Sequence, residues 1–229
     1  MDLTQIPQDI AANLVQCWPD GVVSEFDASE SYFHDVYNDV RAGLDGINWA
    51  SLLWETDGQP EPDDAPFQAH YIFFLAPNGA EFLSETSSTA VVEGDPGQGD
   101  IETVVRGHAW VGCAVGISVV APYAVLNLCS HSQFEDGSQV PPEVETFIVD
   151  DQTNERIDTN QYFLDSMGED AYRVLDELRG AIADVLARNG IQVLDDSVLD
   201  LPVPGLAPDE AVSLEEPLRV RDAFFFYGG

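Results

Sequence analysis

Between Gly107 and Phe134 the sequence contains no Asp, Glu, Lys or Arg, in a chain where 22% of residues are charged. No other feature constrains the fold as much, because such a stretch left on the surface would form a large adhesive patch. Its length would suit a membrane span, and Gly112 and Gly116 form a G-x-x-x-G pair of the kind that brings membrane helices together. Pro122 interrupts it, however, polar Ser118 and Asn127 lie inside it, and no basic cluster flanks it to set a topology. The stretch reads as the buried centre of a soluble fold: a helix or strand over residues 109–115, then strands around residues 117–121 and 123–129.

Periodicity supplies the elements around this centre. Leu3, Ile6, Ile10, Leu14 and Cys17 recur at helical spacing up to a stop at Pro19-Asp20-Gly21, and residues 22–26 suit a short strand. Tyr32, Phe33, Val36, Tyr37, Val40 and Leu44 mark a second amphipathic helix. Residues 70–75, the turn Pro77-Asn78-Gly79 and the residues from Glu81 onward predict a β-hairpin closed by Asn-Gly geometry. Residues 145–149 suit another strand. The strongest helix signal spans Met167 to Asn189. Ser166 and Glu169 form a capping box, Leu175, Leu178, Ile182 and Leu186 form an inward stripe, and Gly190 supplies the stop. After a proline-rich turn at 202–208, Leu218 and Val220 alternate with Arg219 and Arg221 as a final strand. These elements predict an α+β fold: a single compact domain over residues 1–229, with a mixed or antiparallel sheet packed by two to four helices. A candidate sub-boundary lies near 55–67, where prolines and acids mark a surface loop.

The charge balance bears on function. There are 42 acidic residues against 8 basic ones, a formal net charge of -34, and every basic residue is Arg. Spread over a folded surface of this mass, the carboxylates would lie about 15 Å apart, beyond a Debye length of roughly 8 Å. That spacing is tolerable without molar salt, whereas clustering would create a strong local field. Such a surface repels nucleic acid and anionic membranes and attracts basic proteins and divalent cations. A basic protein partner explains the imbalance, and so does adaptation to a saline habitat. The N-terminus, Met1-Asp2-Leu3-Thr4, has no basic region followed by a long apolar run, which predicts no signal peptide and a cytoplasmic address.

Catalytic motifs are not evident. Without lysine the chain has no lysine P-loop, no protein-kinase site and no Schiff-base nucleophile. G-x-S-x-G is absent, and the glycine-rich residues 94–99 lack G-x-G-x-x-G order. His108, Cys113, Cys129 and His131 have zinc-ligand chemistry, but their spacing lacks a C-x-x-C knuckle. They are expected to be core thiols and satisfied histidines, with no metal and no cofactor. Asp150, Asp151, Asn154, Glu155 and Asp158 could offer oxygen ligands, yet lack the glycine and terminal glutamate of a calcium loop, so a solvated loop is expected.

The C-terminal quarter, through Ile191-Gln-Val-Leu194, Leu201-Pro-Val-Pro-Gly-Leu206 and Val220-Arg-Asp-Ala-Phe-Phe225, resembles the ends of small bacterial proteins that include immunity-type partners of secreted toxins. The resemblance implies a stoichiometric inhibitor and transfers no site residue. Together with the charge it predicts a non-enzymatic acidic binding protein, such as an immunity protein, antitoxin or nucleic-acid mimic, that neutralises a basic protein. The expected contact residues are Glu55, Asp57, Asp63 and Asp64, then Asp150, Asp151, Glu155 and Asp158, then Asp195 and Asp196. The alternative is an enzyme of an unrecognised family, with histidine and carboxylates in a pocket near the uncharged segment.

Overall fold

A computed structural model describes residues 1–24, 32–56, 70–92, 101–142, 147–149, 156–209 and 217–225. The uncharged segment is the sheet's central hairpin. Strands β5 (Ile101–Ser118) and β6 (Tyr123–Phe134) pair antiparallel from Gly107↔Phe134 to Ile117↔Ala124. Residues 109–115 are therefore strand, and the two shorter strands expected near 117–129 are the end of β5 and the start of β6. The Ser118 hydroxyl accepts from the N–H groups of Val120 and Ala121 at the reversal, which satisfies that buried polar group locally.

Around the hairpin, the main sheet runs β10 (Gln192–Val193), β6, β5, β3 (His70–Pro77), β2 (Ala50–Glu55). In addition, β4 (Leu83–Val92) pairs with β5, and β7 (Gln139–Val140) pairs with β6. Within this sheet all pairings are antiparallel except β10 with β6. Two small sheets join β1 (Val22–Val23) to β11 (Ala207–Pro208), in parallel, and β8 (Phe147–Val149) to β9 (Arg156–Asp158). The fold is α+β with a mostly antiparallel sheet.

The hairpin expected at 70–85 does not form. Strands β3 and β4 run in the same direction, both against β5, with Leu75↔Cys113 and Leu83↔Trp110 as consecutive anchor pairs. Residues 76–82 thus stand opposite only two residues of β5. Gly79 has φ -86°, outside the left-handed region that an Asn-Gly reversal uses. Instead the Asn78 N–H donates to the Trp49 carbonyl, its side-chain oxygen accepts from Ser51, and Phe82 is buried at the end of a 3-10 turn. The chain is tied down to β2 rather than reversed.

Helices cover one sheet face. α2 (Phe33–Asp45) and α4 (Glu169–Arg188) bury Phe33, Val40, Leu44, Leu175, Leu178, Ile182 and Leu186 against Phe73, Leu75, Cys113, Val115, Ile117 and Leu128. Each such side chain contributes roughly 1.5–3 kcal/mol of burial energy. The two helices meet at Gly43, where an added Cβ would lie 2.6 Å from a methyl of Val185. The helix expected from Met167 to Asn189 is one continuous helix, α4, which starts two residues later at Glu169; a separate α3 (Thr159–Met167) precedes it and ends at Gly168, φ 84°. Ser166 caps nothing. Its hydroxyl donates to the Phe163 carbonyl inside the last turn of α3. Gly190, φ 74°, closes α4 as expected.

On the opposite face the two ends of the chain cover the start of β6. Ile6 joins Ile10, Leu14 and Trp18 of α1 (Gln8–Cys17) and its C-cap in packing with Tyr123, Val125, Leu194, Leu206 and Phe224. Trp18 donates its indole N–H to the Ala223 carbonyl at 3.1 Å. The expected final strand is corrected: Leu218 and Val220 are buried, but Val220 opens a short helix, α6 (Val220–Phe224). The Asp222 carboxylate accepts the Arg219 N–H at 2.7 Å, which turns the chain into the helix after one strand-like step.

Candidate functional site

Interrupting the β3–β4 line leaves a concavity. A groove of about 370 Å³ opens beside β2, with walls from Ser51, Leu53, Pro77, Asn78, Leu83 and Trp110. Leu83 is 43% exposed, Trp110 is half-buried, and none of the lining residues is charged. Ser51 occupies the side-chain oxygen of Asn78 at 2.6 Å, so the amide N–H groups of Asn78 are its remaining polar handle.

Behind the groove lies an aromatic box. His131 is buried, stacked on Trp110 with ring centroids 6.1 Å apart, and flanked by Phe74 at 5.5 Å and Trp54 at 6.3 Å. Its Nδ1 lies 2.9 Å from the Val140 carbonyl, which can only accept, so Nδ1 carries the proton. Burial holds the imidazole below its ordinary pKa. The box depends on Gly112, where a Cβ would collide with the Leu75 carbonyl oxygen and lie 2.8 Å from the Phe74 ring.

Strand parity separates the four zinc candidates. Cys113 faces the helices, with a thiol pushed up by burial to about 12. Cys129 packs on the opposite face with Phe74 and Trp110, and His131 lies in the box on that same face. His108 is exposed. Among the described residues no three of His, Cys, Asp and Glu come together in a metal-holding group.

Of the expected acidic contacts, Asp57, Asp63, Asp64, Asp150, Asp151 and Glu155 lie outside the described residues. Glu55 is engaged internally: Arg41 grips it through Nε and Nη2 at 3.0 Å, and the Tyr37 hydroxyl donates to it at 2.9 Å. Tyr71 stands next to Tyr37, and burial raises its hydroxyl far above the ordinary range. Asp158 caps α3 by accepting the Gln161 N–H. Asp195 is exposed at the start of α5 (Asp196–Leu199), while half-buried Asp196 is raised by burial against the opposing pull of Arg221. Asp200, which the sequence offers as part of the acid-rich contact stretch 195–200, instead holds both Arg219 at 3.0 Å and Arg221 at 2.9 Å and ties α5 to α6. No sequence spacing signals these long-range pairs.

No protein-family model, no curated protein and no solved structure matches this chain. Among the described residues no helix is long and apolar enough to cross a membrane.

Proposed function

We propose that this chain is an acidic, non-catalytic binding protein that neutralises a basic protein partner in the cytoplasm, in the manner of an immunity protein, antitoxin or nucleic-acid mimic. The observation that carries the reading is an uncharged groove with an accessible indole in a molecule of net charge -34. Carboxylates accelerate encounter with a cationic surface, and a partly buried tryptophan beside aliphatic walls supplies the desolvated anchor on which affinity concentrates. The groove offers an indole, aliphatic groups, an amide and a hydroxyl, which suits holding a side chain better than moving a proton.

Internal cations leave most acids uncompensated. Ion pairs in the described residues engage Glu55, Asp170, Asp176, Glu177 and Asp200. The immunity-type resemblance of the C-terminal quarter points the same way.

A second reading, acidity as adaptation to salt, is favoured by a specific observation. Exposed acids are dispersed over three helices, with Asp9 on α1, Asp35 and Asp39 on α2, and Asp176, Glu177 and Asp184 on α4. Affinity capture from the source organism at low and high salt, with wild-type chain and with Trp110→Ala, separates the two. The binding reading expects a basic protein retained by wild type at low salt, released by salt and weakened by Trp110→Ala. Equal retention by both chains, or no basic protein at all, rejects it.

A further inference from the structure

The β4–β5 ladder outruns the sheet. Strand β6 accompanies β5 only as far as Gly107, yet β4 stays paired to β5 through Ser88↔Val105 and on to Val92↔Ile101. These five rows form a two-stranded arm about 15 Å long, without a third strand among the described residues. Two-stranded ribbons are marginal alone in water. Within the arm Val104 is 68% exposed.

Among the described residues its outer edge lacks the usual protection. Edge strands are commonly blunted by charges, prolines or bulges, because an open row of N–H and C=O groups templates pairing. Another edge strand of this sheet follows that rule: six-residue β2, on the same side of β5, has a register shift between Leu52 and Trp54 and ends at ion-paired Glu55. By contrast β4 has ten residues with Glu85 as its single charge and neither proline nor glycine, and its register with β5 is unbroken. No described strand pairs with its free side.

We infer that the free edge of β4 pairs with the same edge of a second copy of this chain, making an antiparallel two-fold dimer through the arms. Charge selects this occupant. Two molecules of net charge -34 meet with less repulsion along a ten-residue edge that carries the single acid Glu85 than along acid-rich surfaces. An edge also complements itself across a two-fold axis. With the axis near Ser88, Glu85 falls opposite residue 91, so like charges do not face each other.

The test is sedimentation of the full chain from micromolar to millimolar protein and from low to half-molar salt, with hydrogen exchange of the β4 amides. The dimer is expected to tighten as salt rises, because screening relieves repulsion between the copies. This is opposite in sign to the salt response of a basic-partner complex, so either proposal can fail alone. Amides between Ser84 and Thr89 should gain protection with protein concentration. The double variant Thr86→Glu, Ser88→Glu should remain monomeric with unchanged circular dichroism and melting temperature. A wild-type chain that stays monomeric throughout overturns the inference. So does a dimer that the double variant still forms, or one in which the β4 amides gain no protection.

Discussion

The indole of Trp110 lies nearly parallel to the imidazole of His131, at 20° between planes, and so serves as both groove wall and lid over a buried histidine. Trp110→Ala should therefore do two things at once. It should cost roughly 2–3 kcal/mol in unfolding free energy, less than a fully buried tryptophan, because the side chain is half-exposed. It should also let water reach His131, whose pKa should climb back toward the ordinary histidine value as desolvation is relieved. Urea unfolding and NMR titration of His131 check the two effects; an unchanged His131 titration would mean the indole is not its cover.

Buried His70 gives the protein a pH limit. Burial lowers its pKa from 6.5 to about 4, against a smaller upward pull from a hydrogen bond to the Phe225 backbone. The unfolded chain therefore takes up this proton first as pH falls. The contribution of His70 is complete above pH 6.5 and is lost progressively down to about 4, in total about 3 kcal/mol. Carboxylate protonation changes stability over the same range, so the measurement is a difference. The stability of His70→Gln relative to wild type should improve by this amount between pH 7 and pH 4. A constant difference would contradict the assignment.

Two helical glycines should respond oppositely to alanine. At Gly43 the new methyl would meet Val185 at 2.6 Å, so Gly43→Ala should destabilise by about 1–2 kcal/mol despite its better helix propensity. At exposed Gly180 on α4 nothing lies within 4 Å of the added carbon, and Gly180→Ala should stabilise by up to about 1 kcal/mol. Thermal unfolding of both variants tests the α2–α4 packing; stabilisation by both would mean that the helices do not touch at Gly43.

Glu55 and Asp195 should separate stability from association. Glu55→Gln leaves Arg41 and Tyr37 without their carboxylate and should cost about 1 kcal/mol, the pair being partly solvated. Asp195→Asn, at an exposed position, should leave the melting temperature unchanged and slow association with a basic partner. Reversed effects would exchange their roles.

The sequence disclosed some levels of this structure better than others. Apolar spacing located α1, α2 and the buried stripe of α4, because burial of Leu175, Leu178, Ile182 and Leu186 is a local periodic signal. The absence of charge from Gly107 to Phe134 marked the sheet's centre. Failures arose where one residue had two readings. Ser166 before Glu169 looks like a cap, but Gly168 with positive φ breaks the helix between them. Asn78-Gly79 looks like a reversal, but hydrogen bonds from β2 hold the chain straight on. The groove was not legible, because it exists through the offset between β3 and β4, and register is set by tertiary pairing. Glu55 looks like a free acid in the sequence, since nothing in its spacing brings Arg41 to it.

The most direct test of the central claim is the association rate of the chain with its captured basic partner, measured as ionic strength rises from low salt through the physiological range to half-molar. Carboxylate steering requires that rate to fall steeply, by about tenfold or more, while the dissociation rate changes little. A rate indifferent to salt, in a protein that unfolds unless molar salt is present, would assign the acidity to habitat and contradict the binding account.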